Sequence, residues 1–325
     1  MIYSWLTYNG NGLTSHAGYG LGRPDPYNPY DLPPFTLRLL FPDGIIPQAR
    51  LGTFTQVSSS PNIWDLTYEG TRWFSMQISR ELIAVLGGNT TDITQFGSIF
   101  SDNTNLRSVA LFDTSNAISM SETFYNCTSL VSVPRFDTRN VKSFWRVFGR
   151  CSSLPEVPLW DTSSATDMAS MFIGCSSLTT VPLFSTGNVE TMGAMFEGCS
   201  SLVSVPTFDT QSVTDMREMF SGCSSLLNAP AFNTSLVTKM NKMFENCTSL
   251  THVPLYDTSS LIEMPYMFDG CVNVESGALA LYNQVSVQSQ LGWHAQAFRN
   301  CGSNTVTGRA ELAQIPEFWG GTMTD

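Results

Sequence analysis

Eight cysteines are the residues of this chain best equipped for chemistry, and seven of them, Cys127, Cys151, Cys175, Cys199, Cys223, Cys247 and Cys271, follow one another every 24 residues. Thiols could hold zinc or pair as disulfides. Zinc takes tetrahedral sets from pairs that converge from different directions, whereas one thiol per period presents a row facing the same way. Thiols on neighbouring strands about 4.8 Å apart come within disulfide reach, but their parallel Cβ vectors are wrong for the bond. The expectation is a structural ladder of buried, reduced thiols with no metal. Asp113, Asp137, Asp161, Asp209 and Asp257 recur at the same period and would suit calcium, but Ser185 and Asn233 interrupt them. Aspartate before threonine commonly bonds its own turn amides instead. His16, His252 and His294 lie far apart with no recurring nucleophile beside them. There is no phosphate loop, dinucleotide-binding glycine motif or His-Glu-x-x-His, so neither an enzyme nor a cofactor is expected.

The elements that carry these residues obey the same period. Phe100, Phe124, Phe148, Phe172, Phe196, Phe220, Phe244 and Phe268 stand at one position, and Leu106, Leu130, Leu154, Leu178, Leu202, Leu226 and Leu250 at another. Met120, Met168, Met192, Met216, Met240 and Met264 form a third column, and Phe112, Phe136, Trp160, Phe184, Phe208, Phe232 and Tyr256 a fourth, all expected in the core. Asn103 holds the cysteine place one period before Cys127, with Ser79 before it, so copies run from about Met76 to Met267. The final Phe298-x-x-Cys301 pair arrives after 30 residues rather than 24, which puts an insertion near Leu279 to Trp293. Fixed periods of this length indicate stacked repeats with atypical end copies. The expected fold is a β-rich solenoid of 24-residue coils with a short parallel sheet. Its strand is the Ser-Leu-x-x-Val stretch, ending at the proline column Pro134, Pro158, Pro182, Pro206, Pro230 and Pro254. Met216 to Phe220 is expected to make one helical or 3₁₀ turn on the opposite side.

Three regions follow: a β-rich N-terminal mount or cap at 1–75, the repeats at 76–277, and an atypical last repeat with C-terminal cap at 278–325. In the first, Thr36 to Phe41 reads as a strand before a Pro-Asp-Gly turn. Arg23 to Pro34, with five prolines, reads as an extended linker or arm.

Composition narrows the function. The 325 residues are 42% apolar and 13% charged, with 16 basic against 27 acidic side chains and a net charge of -11, which disfavours nucleic acid and anionic lipid as partners. No apolar run reaches the roughly 18 to 20 residues that span a bilayer, and the opening MIYSWLTYNGNG lacks the basic and apolar regions of a signal peptide. A soluble chain outside the ordinary secretory route is expected.

The string F-x-x-C-x-x-L-x-x-V, followed by a Phe-Asp-Thr-Ser type turn and a Val-Thr-x-Met-x-x-Met-Phe segment, resembles the BspA-like leucine-rich repeats of bacterial surface proteins over about two thirds of the chain. That resemblance implies a leucine-rich-repeat-like fold and binding or adhesion as the activity. The flanks Asp31 to Phe41, Ser60 to Trp73 and Asn300 to Gly321 are similar to repeat proteins of gut bacteria of the Bacteroides type and of their tailed phages. Together these imply a virion-associated fibre, decoration or receptor-binding protein, with a bacterial cell-surface adhesin as the alternative. The N-terminal region would contact other virion proteins and the solenoid a host surface protein or glycan, with oligomeric state open. Candidate binding residues are those that vary while the columns around them stay fixed: Arg135, Glu156, Thr180, Ser204, Asn228 and His252 in or beside the strand. Arg139, Arg146, Glu190, Arg217, Lys239 and Lys242 lie on the returning side.

Overall fold

The computed structural model describes residues 36–48, 53–57, 62–67, 78, 80–91 and 93–321, and residues 4–8 and 13–17 through their backbone. The proline-rich run at 23–34, Ser79 and the His16 side chain lie outside that set. Two strands, β1 (Ser4–Tyr8) and β2 (Leu13–Ala17), pair antiparallel. An open five-stranded sheet contains β3 (Thr36–Leu40), β4 (Thr53–Gln56), β5 (Ile63–Thr67), β6 (Ala84–Asn89) and β7 (Ser108–Val109), in the order β4-β5-β3-β6-β7. Strand β3 is apolar at Leu37, Leu39 and Leu40, and Arg38 pairs across to Asp65 on β5 with 2.7 Å between Nε and Oδ1. A turn at Asp43–Gly44 follows the strand, with Gly44 in the left-handed region (φ 76°).

Strand β6 belongs to the repeats, since it pairs antiparallel with β3 on one edge and parallel with β7, one period on, on the other. Leu37, Leu39, Phe41 and Leu66 share one hydrophobic cluster with the repeat core. Strand β3 therefore covers the outer edge of the first repeat's strand.

Beyond β7 the chain is almost entirely turns and extended backbone, each copy hydrogen-bonded to the next. Parallel bridges link Gln95, Ser119, Ser143, Asp167, Thr191, Asp215, Lys239, Glu263 and Trp293 in succession. The continuous ladder is thus on the Val-Thr-x-Met segment. The Ser-Leu-x-x-Val stretch expected as the strand forms β7 and bridges only Ser108 to Ser132 and His252 to Ser276; elsewhere it carries single bonds such as Thr179 N–H to Pro155 (3.1 Å). The proline column explains the shortfall, because proline has no N–H to continue a ladder.

The helical turn expected at Met216 to Phe220 is absent. Met216, Glu218, Phe220 and Gly222 donate their N–H groups to the carbonyls of Lys239, Asn241, Met243 and Glu245 at 2.7–3.0 Å, while Met219, Ser221 and Cys223 donate three residues back. Left-handed backbone at Glu218 (φ 58°) and Gly222 (φ 73°) causes this, turning alternate N–H groups outward to the next repeat instead of along a helix axis.

The core is a stack of aromatic rings. Phe100, Phe124, Phe148, Phe172, Phe196, Phe220, Phe244, Phe268 and Phe298 stack consecutively with centroids 5.2–6.0 Å apart and interplanar angles of 4–13°. Such offset stacking is the favourable arrangement of like rings. The methionine column and the second aromatic column, Phe112 to Tyr256, are buried beside it. The insertion before Trp293 contains helix α1 (Ala278–Val285), and α2 (Val306–Leu312) follows Cys301, its Gly308 N–H donating to the capping Thr305 hydroxyl at 2.9 Å. No helix among the described residues is long and apolar enough to cross a membrane.

Candidate functional site

Every cysteine is buried with a free thiol. The thiols of Cys127, Cys151, Cys175, Cys199, Cys223, Cys247 and Cys271 each donate to the carbonyl of the phenylalanine 27 residues earlier, at 2.9–3.1 Å. Burial pushes Cys175 and Cys223 up to about 12 and raises the others as well. A thiol held protonated is a poor nucleophile and a poor metal ligand. Asn103, at the head of the column, donates Nδ2 to the same type of carbonyl, that of Phe100, at 3.1 Å. No group of three or more His, Cys, Asp or Glu side chains able to hold a metal occurs among the described residues.

The aspartate column closes turns. Asp113, Asp161, Asp209 and Asp257 accept the N–H two residues on at 2.9–3.1 Å, and Asn233 does the same. The Ser163 hydroxyl and amide lower the Asp161 carboxyl, and Ser259 lowers Asp257 in the same way. The threonine after each aspartate, and after Ser185 and Asn233 where they replace it, is the feature that column analysis missed. Thr114, Thr138, Thr162, Thr186, Thr210 and Thr234 are buried and donate their hydroxyls to a carbonyl of the next repeat at 2.7–2.9 Å. At the last copy Gln284 and Gln288, from the insertion, bond the Thr258 hydroxyl instead.

Among the described residues, His252 and His294 do not converge. His252 is exposed with Nδ1 2.7 Å from the Ser276 hydroxyl, and His294 is stacked on Trp319 with centroids 4.0 Å apart. Burial lowers the His294 pKa.

Among the candidate binding residues, Glu156, Thr180, Ser204, Asn228 and His252 fall in one exposed column. Arg135 is exposed but three positions out of register, in the column of Leu159, Leu183 and Leu255. That column exposes Leu159, Leu183 and Leu255, and the position just before the Glu156 column exposes Val131, Val203 and Leu227, so the face mixes apolar and polar side chains.

The ladder side carries a groove of about 430 Å³ that the sequence reading did not anticipate. Its floor is Ala169, Ser170, Gly193 and Ala194, where neighbouring copies carry Trp145–Arg146 and Arg217–Glu218. Asp215, Arg217, Glu218, Asn241 and Lys242 line it, with Tyr266 and Trp293 at one end. Arg217 is held bidentate on Asp215 (Nη2–Oδ2 2.7 Å), and Lys242 lies 3.3 Å from Glu245. The only signal in the sequence was the run of small residues in two consecutive copies.

The architecture defines the class: a repeat protein of extended and turn backbone, with little helix and an open sheet. The chain belongs to the family described as Mycoplasma protein of unknown function, DUF285, whose model matches residues 73–182, 155–250, 179–282 and 227–306. Among solved structures, a leucine-rich repeat protein from Eubacterium ventriosum ATCC 27560 is similar at 17% identity and a TM-score of 0.44. The match covers 67% of this chain and 61% of that one. No curated protein matches the chain.

Proposed function

We propose that the chain is a non-enzymatic binding protein, a leucine-rich-repeat-like solenoid that displays variable side chains for adhesion. One observation carries the reading: Glu156, Thr180, Ser204, Asn228 and His252 change chemistry from copy to copy at one exposed position, while the cysteine, phenylalanine and threonine positions beneath them stay fixed. A fixed scaffold with varied exposed side chains suits recognition, because the side chains enter binding already positioned. The dispersed histidines and the protonated thiols offer no catalytic set. The finer reading rests on the likeness of the flanking segments: a virion protein mounted through its N-terminal strands, with a bacterial surface adhesin as the alternative.

The test is retention of the purified chain on intact gut bacterial cells and on mucus, read by fluorescence. Specific, saturable retention on either supports adhesion, and retention on neither overturns it. Mass spectrometry of purified phage particles tests the setting, since absence of the chain from virions removes that part.

A further inference from the structure

We infer that the ladder-side groove is a binding site for a neutral oligosaccharide; this deepens the adhesion reading and rests on it. Charge selects first. The lining carries Asp215 and Glu218 against Arg217 and Lys242, so a polyanion meets carboxylates and a polycation meets a guanidinium and an ammonium. An uncharged ligand with many hydroxyls meets both donors and acceptors.

Shape selects next. The lining runs from Ala169 through Gly193, Arg217, Asn241 and Pro265 to Trp293, so the groove crosses six copies, about 24 Å at strand spacing, and is shallow. The floor of Ala169, Ser170, Gly193 and Ala194 lacks the deep apolar pockets that peptide anchors fill. Trp293 is 53% exposed at the end of the groove, with Tyr266 beside it. An exposed indole face packs against the C–H face of a pyranose ring, an apolar surface edged with hydroxyls. Asn241, in the lining, donates Nδ2 to Glu263 at 3.0 Å, and its Oδ1 is buried without a hydrogen-bond partner.

The backbone supports the same side. Each repeat has two left-handed positions. One holds Asp102, Asn126, Arg150, Gly174, Gly198, Gly222, Asn246, Gly270 and Asn300, mostly the residues that tolerate positive φ. The other holds Ser98, Glu122, Arg146, Ser170, Ala194, Glu218, Lys242, Tyr266 and Gln296, with no glycine, although glycine is the residue the conformation favours. Five of these, Ser170 to Tyr266, line the groove.

The experiment is binding of the full chain to cellohexaose, maltohexaose, mannohexaose and chitohexaose, with a galacturonate oligomer as the acidic control, read by calorimetry. The expected result is that at least one neutral hexamer binds, and that Trp293→Ala weakens it by about tenfold or more while Val287→Ala, at an exposed position outside the groove, leaves it unchanged. Tyr266→Phe, which keeps the ring, retains binding. Circular dichroism confirms that each variant is folded. Binding of the acidic oligomer alone, binding of none of the neutral hexamers, or full affinity in folded Trp293→Ala overturns the groove assignment. Retention on cells or mucus that survives Trp293→Ala leaves the adhesion reading standing without this site, and loss of all retention by the wild-type chain removes both.

Discussion

Raising the pH should unfold this protein through its thiols. All eight cysteines are buried, and burial lifts each pKa above the ordinary value of 9.0, to about 12 at Cys175 and Cys223. A group whose folded pKa is raised contributes its full stabilisation below the unfolded pKa and loses it as pH climbs toward the folded one, so the window opens at about pH 9. At pH 10, one unit above the value of an exposed thiol, each unfolded cysteine gains about 1.4 kcal/mol by ionising that a buried one does not. Across eight thiols the difference approaches about 11 kcal/mol, as large as the roughly 5–15 kcal/mol that holds a typical domain folded. Urea titrations followed by circular dichroism from pH 7 to 10.5, with reductant present, should give midpoints that are flat to about pH 8.5 and then fall steeply. Tyr256, also raised by burial, steepens the fall above pH 10. A midpoint unchanged at pH 10 refutes the reasoning. So does reaction of the native thiols with a disulfide reagent at the rate of free cysteine.

The threonine ladder predicts that Thr186→Val, which removes the donor to the Asp209 carbonyl but keeps the volume, costs about 1–3 kcal/mol in urea unfolding, while Thr186→Ser retains most of the stability. The two left-handed columns predict opposite signs in thermal melts. Ala194→Gly stabilises by about 0.5–1 kcal/mol, and Gly198→Ala, whose new Cβ would sit an ordinary 3.5 Å from Gly174, destabilises by about 1–2 kcal/mol from the backbone alone. Deleting one whole copy, Met195 to Glu218, keeps every column in phase and should leave a chain that still melts cooperatively; loss of the transition contradicts a stack built from neighbour contacts.

The repeat and its core were legible because cysteine, phenylalanine, leucine and methionine recur in phase, and a residue type repeated at one depth reports burial directly. The hydrogen-bond layout was not. The Val-Thr-x-Met stretch spends too few residues in extended backbone to show period-two alternation, so the ladder was expected on the Ser-Leu-x-x-Val stretch, where proline limits it. One left-handed column carried a visible glycine and asparagine bias; the other, holding Glu, Arg, Lys and Ala, carried none, and with it went the cause of the missing helical turn. Arg135 shows the limit of reading variability without register, since three residues separate it from the column of Glu156 and His252. The groove was illegible for a different reason: it exists where Ala169, Ser170, Gly193 and Ala194 lack bulk, and a depression leaves no motif.

The ends of the stack decide where a partner can dock. An open ladder end presents unpaired N–H and C=O groups and invites edge-to-edge association, and here the chain itself covers the edge of β6 and the last copy. At the first repeat, β3 pairs antiparallel along β6, and Arg38 and Asp65 place an ion pair on the next strand out. At the last, Gln296 and Phe298 donate their N–H groups to the carbonyls of Phe318 and Trp319 at 2.9 and 2.8 Å, the bonds a further repeat would otherwise accept. Trp319 also lies 6.4 Å from Phe298, ending the ring stack. With the edge of β6 and the last copy covered in this way, the proposed recognition falls to the lateral faces: the exposed column of Glu156 to His252 and the groove ending at Trp293. A partner engaging either face meets side chains set at the repeat spacing on a backbone pinned to both neighbours, so affinity should change with the side chain at each rung far more than with the rung's position.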